Sequence, residues 1–445
     1  MTAFSPSSTS EAAAIAHLER AVRVAATLPV DAPAPLTINR AAVLGAGTMG
    51  AGIAICYAAA KIPVLVYDPD QAALARGLAT IEKHFESAVS RGRLSRADAD
   101  ESLARIGSAA SLDALGDVDI VVEAAFEDLA LKRRIFETLG HVTPSHAVLA
   151  TNTSTLDIDE MAEASGRPSQ VVGHHFFSPA HVMKLLEIVR GRQTSAEVVA
   201  TSQALAARLG KVGVVVGNCF GFVANRLLAY YMREAYLLLE EGATVDAVDR
   251  AMTTFGMPVG PFAMQDLVGL DVGARIRQHA VAMGKTRADG PQSEVPDRLF
   301  ELGRYGQKTS AGWYRYEPGS RMPIVDPLVN EVVAASAARR GITRRASIPD
   351  EEIVSRITTA VINEGCRVLD EGYAARPGDI DVIYCYGFGF PRARGGPMYD
   401  AERVGLAEVL RRVREYRARF GSYWTPAVLL ERLVANGEGL YEESR

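Results

Sequence analysis

The stretch Ala41-Ala42-Val43-Leu44-Gly45-Ala46-Gly47-Thr48-Met49-Gly50 decides how the N-terminal part of this sequence folds. A short apolar run is followed at once by three glycines in the pattern G-x-G-x-x-G, and the residues after them favour a helix. The first glycine permits a tight turn, the second lets a pyrophosphate approach the backbone, and the third allows helix and strand to pack closely. The stretch therefore predicts a strand, a turn and a helix whose N-terminus binds an anion.

A second apolar run leads to Asp68, which lies eighteen residues after Gly50. The glycine pattern alone is equally compatible with a purely structural turn, so this context is needed. A carboxylate at Asp68 can bind a ribose 2′-hydroxyl and would repel a 2′-phosphate, and no Arg or Lys occurs at 69–71. We therefore expect NAD rather than NADP as the cofactor. The residues predicted to bind it from this pattern are Gly45, Ala46, Gly47, Thr48, Met49, Gly50 and Asp68.

Short apolar runs alternate with amphipathic stretches up to about residue 217, and after Asn218 the pattern becomes helical as far as Leu440. Strands that alternate with helices imply a mostly parallel sheet covered on both faces. The sequence thus predicts an α/β Rossmann-type domain followed by helices. The runs predicted as strands are 41–44, 64–67, 120–123, 147–151, 170–174, 185–189 and 212–216.

The helical part contains an internal repeat. Arg226 precedes Gly242 by sixteen residues, and Arg356 precedes Gly372 by the same number. Gly-Pro pairs at 260–261 and 396–397 then lead to Gly-Leu pairs with identical spacing. We interpret this as two tandem all-α repeat domains that pack on each other, because a single copy would leave an apolar face bare. The predicted domains are an N-terminal arm or linker (1–36), the Rossmann domain (37–217), the first helical domain (218–318), a linker (319–347) and the second helical domain (348–440).

Composition excludes several classes of protein. The chain has 445 residues, is 48% hydrophobic and has a formal net charge of −5, as expected of a globular protein without general affinity for nucleic acid or anionic membranes. No apolar run is long enough to span a membrane, and the four cysteines form no CxxC pair. We expect a cytoplasmic protein that binds neither nucleic acid nor membrane.

Three histidines, His174, His175 and His181, cluster with Glu187 beyond the glycine turn. Oxidation of an alcohol by NAD requires a base for the hydroxyl proton, and an imidazole titrates near neutral pH. A carboxylate on the second ring nitrogen would orient such a base, and His175 could meet Glu187 across a strand–turn–strand, although His174 and His181 compete with it. A metal site is disfavoured because no usual ligand spacing occurs. The histidines interpreted as solvated are His17, His84, His141, His146 and His279.

The run from Gly173 to Glu187, Gly-His-His-Phe-Phe-Ser-Pro-Ala-His-Val-Met-Lys-Leu-Leu-Glu, resembles the signature of the L-3-hydroxyacyl-CoA dehydrogenase family. The resemblance extends over about residues 43–437 and is strongest to the dehydrogenase half of the bifunctional, multifunctional fatty-acid β-oxidation enzymes of the peroxisomal type. Further motifs that carry it are 121–128, 152–154, 221–226, 306–309 and 387–391.

The resemblance implies roles for individual residues. His175 would be the base and Glu187 its orienting carboxylate, while Ser154 and Asn225 would hydrogen-bond the substrate near its reacting oxygen. Without the family, Ser154 is equally a helix N-cap and Asn225 an ordinary helix-surface residue. The second repeat has Ser355 where the first has Asn225, which favours a role for Asn225 in one copy only. Matches to cofactor-contacting positions are Glu127, Lys132, Ser154, Ser178 and Lys308.

The implied reaction is the reversible NAD-dependent oxidation of an (S)-3-hydroxyacyl-CoA. Residues 1–36 resemble only a linker, so we expect no hydratase activity, and a separate enoyl-CoA hydratase or thiolase would be a partner. The alternatives are another NAD-dependent hydroxy-acid dehydrogenase and a non-catalytic NAD-binding protein. Lys83, Arg91 and Arg93 are candidates for binding the CoA phosphates, or simply form a charged surface. The oligomeric state is expected to be a monomer or a homodimer.

Overall fold

The computed structural model describes residues 8–282, 284–285 and 288–441. Its strands, in chain order, are β1 (Ala41–Leu44), β2 (Val64–Tyr67), β3 (Ile106–Ser108), β4 (Ile120–Glu123), β5 (Val148–Thr151), β6 (Val171–Phe176), β7 (Leu185–Arg190), β8 (Val212–Gly217), β9 (Tyr314–Arg315) and β10 (Ile324–Val325). Its helices are α1 (Ser8–Ala26), α2 (Thr48–Ala59), α3 (Gln71–Ser90), α4 (Arg96–Ala104), α5 (Leu129–Val142), α6 (Ile158–Ala164), α7 (Ala196–Arg208), α8 (Phe222–Glu241), α9 (Val245–Phe255), α10 (Pro261–Val268), α11 (Leu270–Ala282), α12 (Val295–Glu301), α13 (Pro327–Arg339), α14 (Asp350–Asp370), α15 (Pro377–Gly387), α16 (Pro397–Val404), α17 (Leu406–Phe420) and α18 (Val428–Asn436). Within those ranges, none of the helices combines the length and apolarity that crossing a membrane requires.

Strands β1 to β8 form one sheet in the order β3-β2-β1-β4-β5-β6-β7-β8. Every neighbouring pair is parallel except β6 and β7, which are antiparallel. The predicted mostly parallel sheet is therefore confirmed, and the seven predicted runs correspond to β1, β2 and β4 to β8. The sequence analysis missed β3, because this edge strand has three residues, Ile106-Gly107-Ser108, and no apolar run.

The sheet separates two apolar cores. Alternate residues of β1 enter different cores: Ala41 and Val43 pack with α2, α3 and α7, and Ala42 and Leu44 pack with α5, α6 and the helical domains. A strand covered on both faces reads as a continuous apolar run, which explains why the sequence predicted these strands closely.

The two helical repeats have matching anatomy. Asp249 of α9 accepts hydrogen bonds from the backbone N–H groups of Phe262 (2.9 Å) and Ala263 (3.0 Å) in the first turn of α10. Asp381 of α15 does the same at the start of α16, from the N–H groups of residues 398 (2.8 Å) and 399 (3.3 Å). A Cβ atom at Gly260 would lie 2.3 Å from Asp249, so the Gly-Pro pair leaves room for this carboxylate cap.

The repeats pack on each other mainly through α8 and α14. Residues 319–347, predicted as a linker, contain β10 and α13. Ser336 of α13 donates a hydrogen bond to Glu240 of α8 (2.7 Å), so this segment packs on the first helical domain. The domain boundaries themselves stay predictions.

The N-terminal arm docks on the second helical domain. Its helix α1 packs against α15 and β8, and residues 1–7 lie outside the described residues. The interpretation of His17 as solvated is wrong: its ring is buried, its Nε2 lies 3.0 Å from Asp381 Oδ2, and it stacks on Tyr399. A local sequence pattern cannot show this partner, because Asp381 is more than 360 residues away.

Candidate active site

The three glycines of the N-terminal turn are needed for different structural reasons. Gly45 has a φ of 95°, and a Cβ atom there would lie 2.6 Å from the Ala124 carbonyl oxygen. A Cβ at Gly50 would lie 1.8 Å from the Gly45 carbonyl oxygen, so this glycine lets α2 cross β1 closely. Around Gly47, in contrast, nothing lies within 4 Å of an added Cβ, and no side chain caps the first N–H groups of α2. This open, positively polarised helix end suits a pyrophosphate.

Asp68 lies beside this turn at the end of β2. Its Oδ2 accepts a hydrogen bond from the backbone N–H of Ala46 (2.9 Å), and its Oδ1 accepts one from Asp70 (2.9 Å). A cleft beside the glycine turn also contains a cation, although no Arg or Lys occurs at 69–71. Arg76 of α3 lines this cleft and lies 3.8 Å from the Asp70 carboxylate. Ala46, Gly47 and Thr48 line this cleft as well.

His175 and Glu187 face each other across the antiparallel pair of β6 and β7. The Nδ1 atom of His175 lies 2.6 Å from Glu187 Oε2, and the residues are only 6% and 0% exposed. Glu187 Oε1 accepts a second hydrogen bond, 2.9 Å long, from the Ala224 N–H in the first turn of α8. A carboxylate that accepts from Nδ1–H leaves Nε2 with a free lone pair, so the pair is arranged as a base and its orienting partner.

The competing histidines occupy other surroundings. His174 points to the opposite face of the sheet, where its Nε2 lies 2.8 Å from Ser202 Oγ, and burial lowers its pKa to about 4. His181 lies in the turn after β6 and packs edge-on against His84, with ring centroids 4.4 Å apart. Among the three histidines of the motif, the structure therefore pairs His175 with Glu187.

Ser154 and Asn225 meet at the mouth of the site. Asn225 Nδ2 donates to the Ser154 carbonyl oxygen (3.4 Å), which joins the start of α8 to the loop after β5. Ser154 is half-buried, and the N-cap of α6 is Asp157, so Ser154 does not have the structural role that we weighed for it. Neighbouring Asn152 was not predicted, yet its Oδ1 accepts from the Phe176 N–H (2.8 Å) and ties β6 to the same loop.

Glu127 is held at the carboxyl end of β4. Its Oε1 accepts from the Thr153 hydroxyl (2.6 Å) and from the Ser154 N–H (2.9 Å). Partial burial alone would raise the pKa of the Glu127 carboxyl, but Lys132 and these donors outweigh it and hold the pKa below its usual range.

Lys132 is held by two carboxylates. Its ammonium is completely buried, 2.8 Å from both carboxylate oxygens of Glu123 and 3.6 Å from Glu127. The contact with the cofactor that the family resemblance implies for Lys132 stays a prediction. Glu123 lies in the family motif 121–128, but no role was predicted for it, because it ends an apolar strand.

The remaining predicted residues lie apart. Ser178 is exposed in the turn after β6, next to Pro179, which lines the cleft. Lys308 belongs to the first helical domain, and its ion-pair partner is Asp271 of α11 rather than a residue of the glycine turn. Arg76 and Thr80 line the cleft and were not predicted, and His181, weighed as a competitor of His175, and His84, interpreted as solvated, line it as well. Lys83 is exposed on α3, and Arg91 and Arg93 are exposed just after this helix ends.

Comparison with known proteins gives a consistent picture. Residues 40–219 match the model of the 3-hydroxyacyl-CoA dehydrogenase NAD binding domain, and residues 221–316 and 353–442 match that of the 3-hydroxyacyl-CoA dehydrogenase C-terminal domain. A peroxisomal bifunctional enzyme from Danio rerio is 43% identical over 415 residues, which is 91% of this chain and 57% of that protein. The chain thus spans little more than half the length of this curated relative.

Solved structures agree with this match. The 3-hydroxybutyryl-CoA dehydrogenase of Escherichia coli K12 superposes with a TM-score of 0.79 at 28% identity, covering 90% of this chain and all of that one. The dehydrogenase part of multifunctional enzyme 1 from C. elegans gives a TM-score of 0.67 at 28% identity, covering 96% and 97% of the two chains. With an NAD-binding domain at residues 40–219 and two copies of the family's C-terminal domain, this chain belongs to the 3-hydroxyacyl-CoA dehydrogenase family.

Proposed function

We propose that this protein catalyses the reversible, NAD-dependent oxidation of (S)-3-hydroxyacyl-CoA to 3-ketoacyl-CoA, as in fatty-acid β-oxidation. The observation that carries the proposal is the buried His175–Glu187 pair, which lies in the same domain as a glycine turn suited to a dinucleotide. An alcohol dehydrogenase needs these two elements: a base with a free nitrogen and a place for the hydride acceptor.

The residues around the glycine turn fit NAD. The open helix end at Gly47 would hold the pyrophosphate, and Asp68 would accept a hydrogen bond from a ribose hydroxyl. Glu127, kept ionised by Lys132, would accept another hydrogen bond at the carboxyl edge of the sheet. When bound, NAD⁺ supplies the acceptor for the hydride that leaves C3 of the substrate.

The protein's own residues handle the proton. His175 Nε2 takes the proton of the 3-hydroxyl as the C3–H bond breaks, which yields the ketone, NADH and an imidazolium. Glu187, 2.6 Å from Nδ1, stabilises that imidazolium and keeps the ring in the tautomer that can accept the proton. Ser154 and Asn225 lie beside this pair and orient the substrate oxygen, and release of the proton to water completes the turnover.

The nucleotide end of an acyl-CoA needs cations, and helix α3 and the segment after it offer them beside the glycine-turn cleft. Lys83 of α3 and the following Arg91 and Arg93 are exposed there. These residues support a CoA thioester, rather than a free hydroxy acid, as the substrate.

The experiment that tests the proposal measures NADH consumption with acetoacetyl-CoA and with free acetoacetate, for the wild-type protein and for His175→Ala. We expect turnover of the thioester alone, lost in the variant without loss of NADH binding. Turnover of the free acid would favour another hydroxy-acid dehydrogenase. Tight NADH binding without turnover of any 3-ketoacyl-CoA would favour a non-catalytic protein.

Partners and location belong to the proposal too. We infer a separate enoyl-CoA hydratase or thiolase as a partner, which co-purification tests. We also infer a monomeric or homodimeric state, which light scattering after size exclusion measures. The four cysteines are unpaired, and three of them are buried, which supports a reducing compartment such as the cytoplasm. A fluorescent fusion would show the location directly.

A further inference from the structure

Two corresponding clusters of ion pairs connect the two helical domains. Arg226 of α8 donates from Nε to Glu364 (2.6 Å) and from its two terminal nitrogens to Glu371 (2.6 and 3.0 Å) in the second domain. In return, Arg356 of α14 donates to Glu234 (2.8 Å) and Glu241 (2.6 Å) in the first domain. The two clusters occupy corresponding positions of the two repeats. We call them the Arg226 cluster and the Arg356 cluster.

Their surroundings differ completely. In the first turn of α8, directly before Arg226, the Ala224 N–H donates to Glu187 and the Asn225 side chain donates to Ser154. In the second repeat the residue before Arg356 is Ser355, which accepts a hydrogen bond from Tyr416 within the same domain (2.8 Å). The residues directly before Arg226 therefore contact the site, whereas the residue directly before Arg356 contacts only its own domain.

The start of α8 depends on external support. Gly221 and Phe222 both have positive φ values, 76° and 51°, and for a phenylalanine this conformation is strained. Phe222 is buried with its ring 5.7 Å from that of His175. A strained turn persists where the surrounding contacts hold it in place. Arg226, anchored in the second domain, is such a contact.

The second helical domain also contacts strand β8 and the aromatic ring beside His175. The Gly217 N–H at the end of β8 donates to the Tyr373 carbonyl (2.8 Å). Phe388, at the end of α15, packs edge-on against Phe177, whose ring lies 4.6 Å from that of His175. The charged group in contact with Glu187 is His175 on β6, and the Cys219 thiol, between β8 and α8, interacts electrostatically with Arg226, Glu187 and Glu371.

From these contacts we propose that Glu364 and Glu371 are positioning residues: through Arg226 they fix the first turn of α8 against Glu187 and so hold the His175–Glu187 pair in its working geometry. This inference rests on the proposed dehydrogenase function. It assigns the second helical domain a part in the reaction.

The structure contains its own control. Glu364 and Glu234 are both completely buried, and each holds two arginines, but only Glu364 belongs to the Arg226 cluster. We would compare Glu364→Gln with Glu234→Gln by thermal unfolding, by NADH binding, and by the pH profile of kcat for oxidation of (S)-3-hydroxybutyryl-CoA by NAD⁺. Both should lose similar stability and bind NADH normally.

Only Glu364→Gln should be impaired in turnover. Coupling through packed elements of this kind corresponds to a fall in kcat of about 2-fold to 30-fold. The acid limb of the pH profile should move to lower pH in the same variant, because a loosely held carboxylate supports the imidazolium less. Glu234→Gln should keep the wild-type kcat and profile.

Equal kinetic effects of the two substitutions, or none from Glu364→Gln, would overturn the inference. If Glu364→Gln does not fold, Glu371→Gln is compared with Glu241→Gln by the same measurements, and only Glu371→Gln should lower kcat. These two substitutions disturb the fold less, because both carboxylates are partly exposed. A wild-type protein without turnover would instead refute the proposed function.

Discussion

Replacement of Glu187 by glutamine changes the site by one charge and almost no volume. The carboxylate accepts two hydrogen bonds, from His175 Nδ1 and from the Ala224 N–H. The two bonds end on different carboxylate oxygens, and an amide keeps only one oxygen, so only one of the two bonds can be retained. If the oxygen stays with Ala224, the amide NH₂ faces Nδ1 and selects the tautomer with Nε2 protonated, which cannot take the substrate proton.

The expected loss follows from the burial of the pair. The imidazolium formed during turnover would have no carboxylate partner in a site where His175 is almost completely buried. An uncompensated buried charge costs about 3–5 kcal/mol. At about 1.36 kcal/mol for each factor of ten, kcat should fall by about 150-fold to 5,000-fold.

The assay is NAD⁺-dependent oxidation of (S)-3-hydroxybutyryl-CoA, followed with saturating substrate, together with NADH binding and thermal unfolding. NADH affinity should be unchanged, because the glycine turn is untouched. The matched control is His174→Gln, on the same strand and the opposite face, which should lose stability and keep kcat. A Glu187→Gln enzyme that turns over within about tenfold of the wild type would refute the assigned role of the pair.

Three further outcomes are expected. Gly50→Ala should lower the free energy of unfolding by about 1–3 kcal/mol, because its Cβ would lie 1.8 Å from the Gly45 carbonyl oxygen. Gly47→Ala should leave the melting temperature unchanged and weaken NADH binding, because nothing lies within 4 Å of its added Cβ. Equal melting temperatures of the two variants would contradict this. Asp68→Ser should raise the kcat/KM ratio of NADPH over NADH by about tenfold or more, because it removes a repulsive carboxylate, and an unchanged ratio would argue against that role. His17→Ala should lower the free energy of unfolding in urea by about 1–3 kcal/mol, since the buried Asp381 carboxylate loses a donor, and no change would mean that α1 contributes little.

Much of the fold was predictable because the decisive signals are local. Short apolar runs and the glycine pattern identified β1, β2 and β4 to β8 to within two residues, and matched spacings revealed the helical repeat. The edge strand β3 was missed since it contains little apolar surface. The helix α13 was interpreted as part of a linker, because its contact with Glu240 is formed by a residue almost a hundred positions away.

The site was predictable in part for the same reason. His175 and Glu187 are twelve residues apart, so a strand–turn–strand could bring them together, yet three histidines satisfied that pattern equally well from spacing alone. The burial of Lys132 under Glu127 depends on how α5 packs on β4, which no local pattern records.

Features that depend on neighbours along the chain could be predicted from the sequence: the period of two or of 3.6 residues, the turn that needs glycine, and the motifs that define the family. Which groups meet across long separations along the chain depends on tertiary packing. The strand pairing placed His175 opposite Glu187 and turned His174 away from it. The packing of α8 on α14 brought Glu364 and Glu371 to Arg226, beside the site, because electrostatic and hydrogen-bonding contacts act over a few ångströms in space, whatever the distance along the chain.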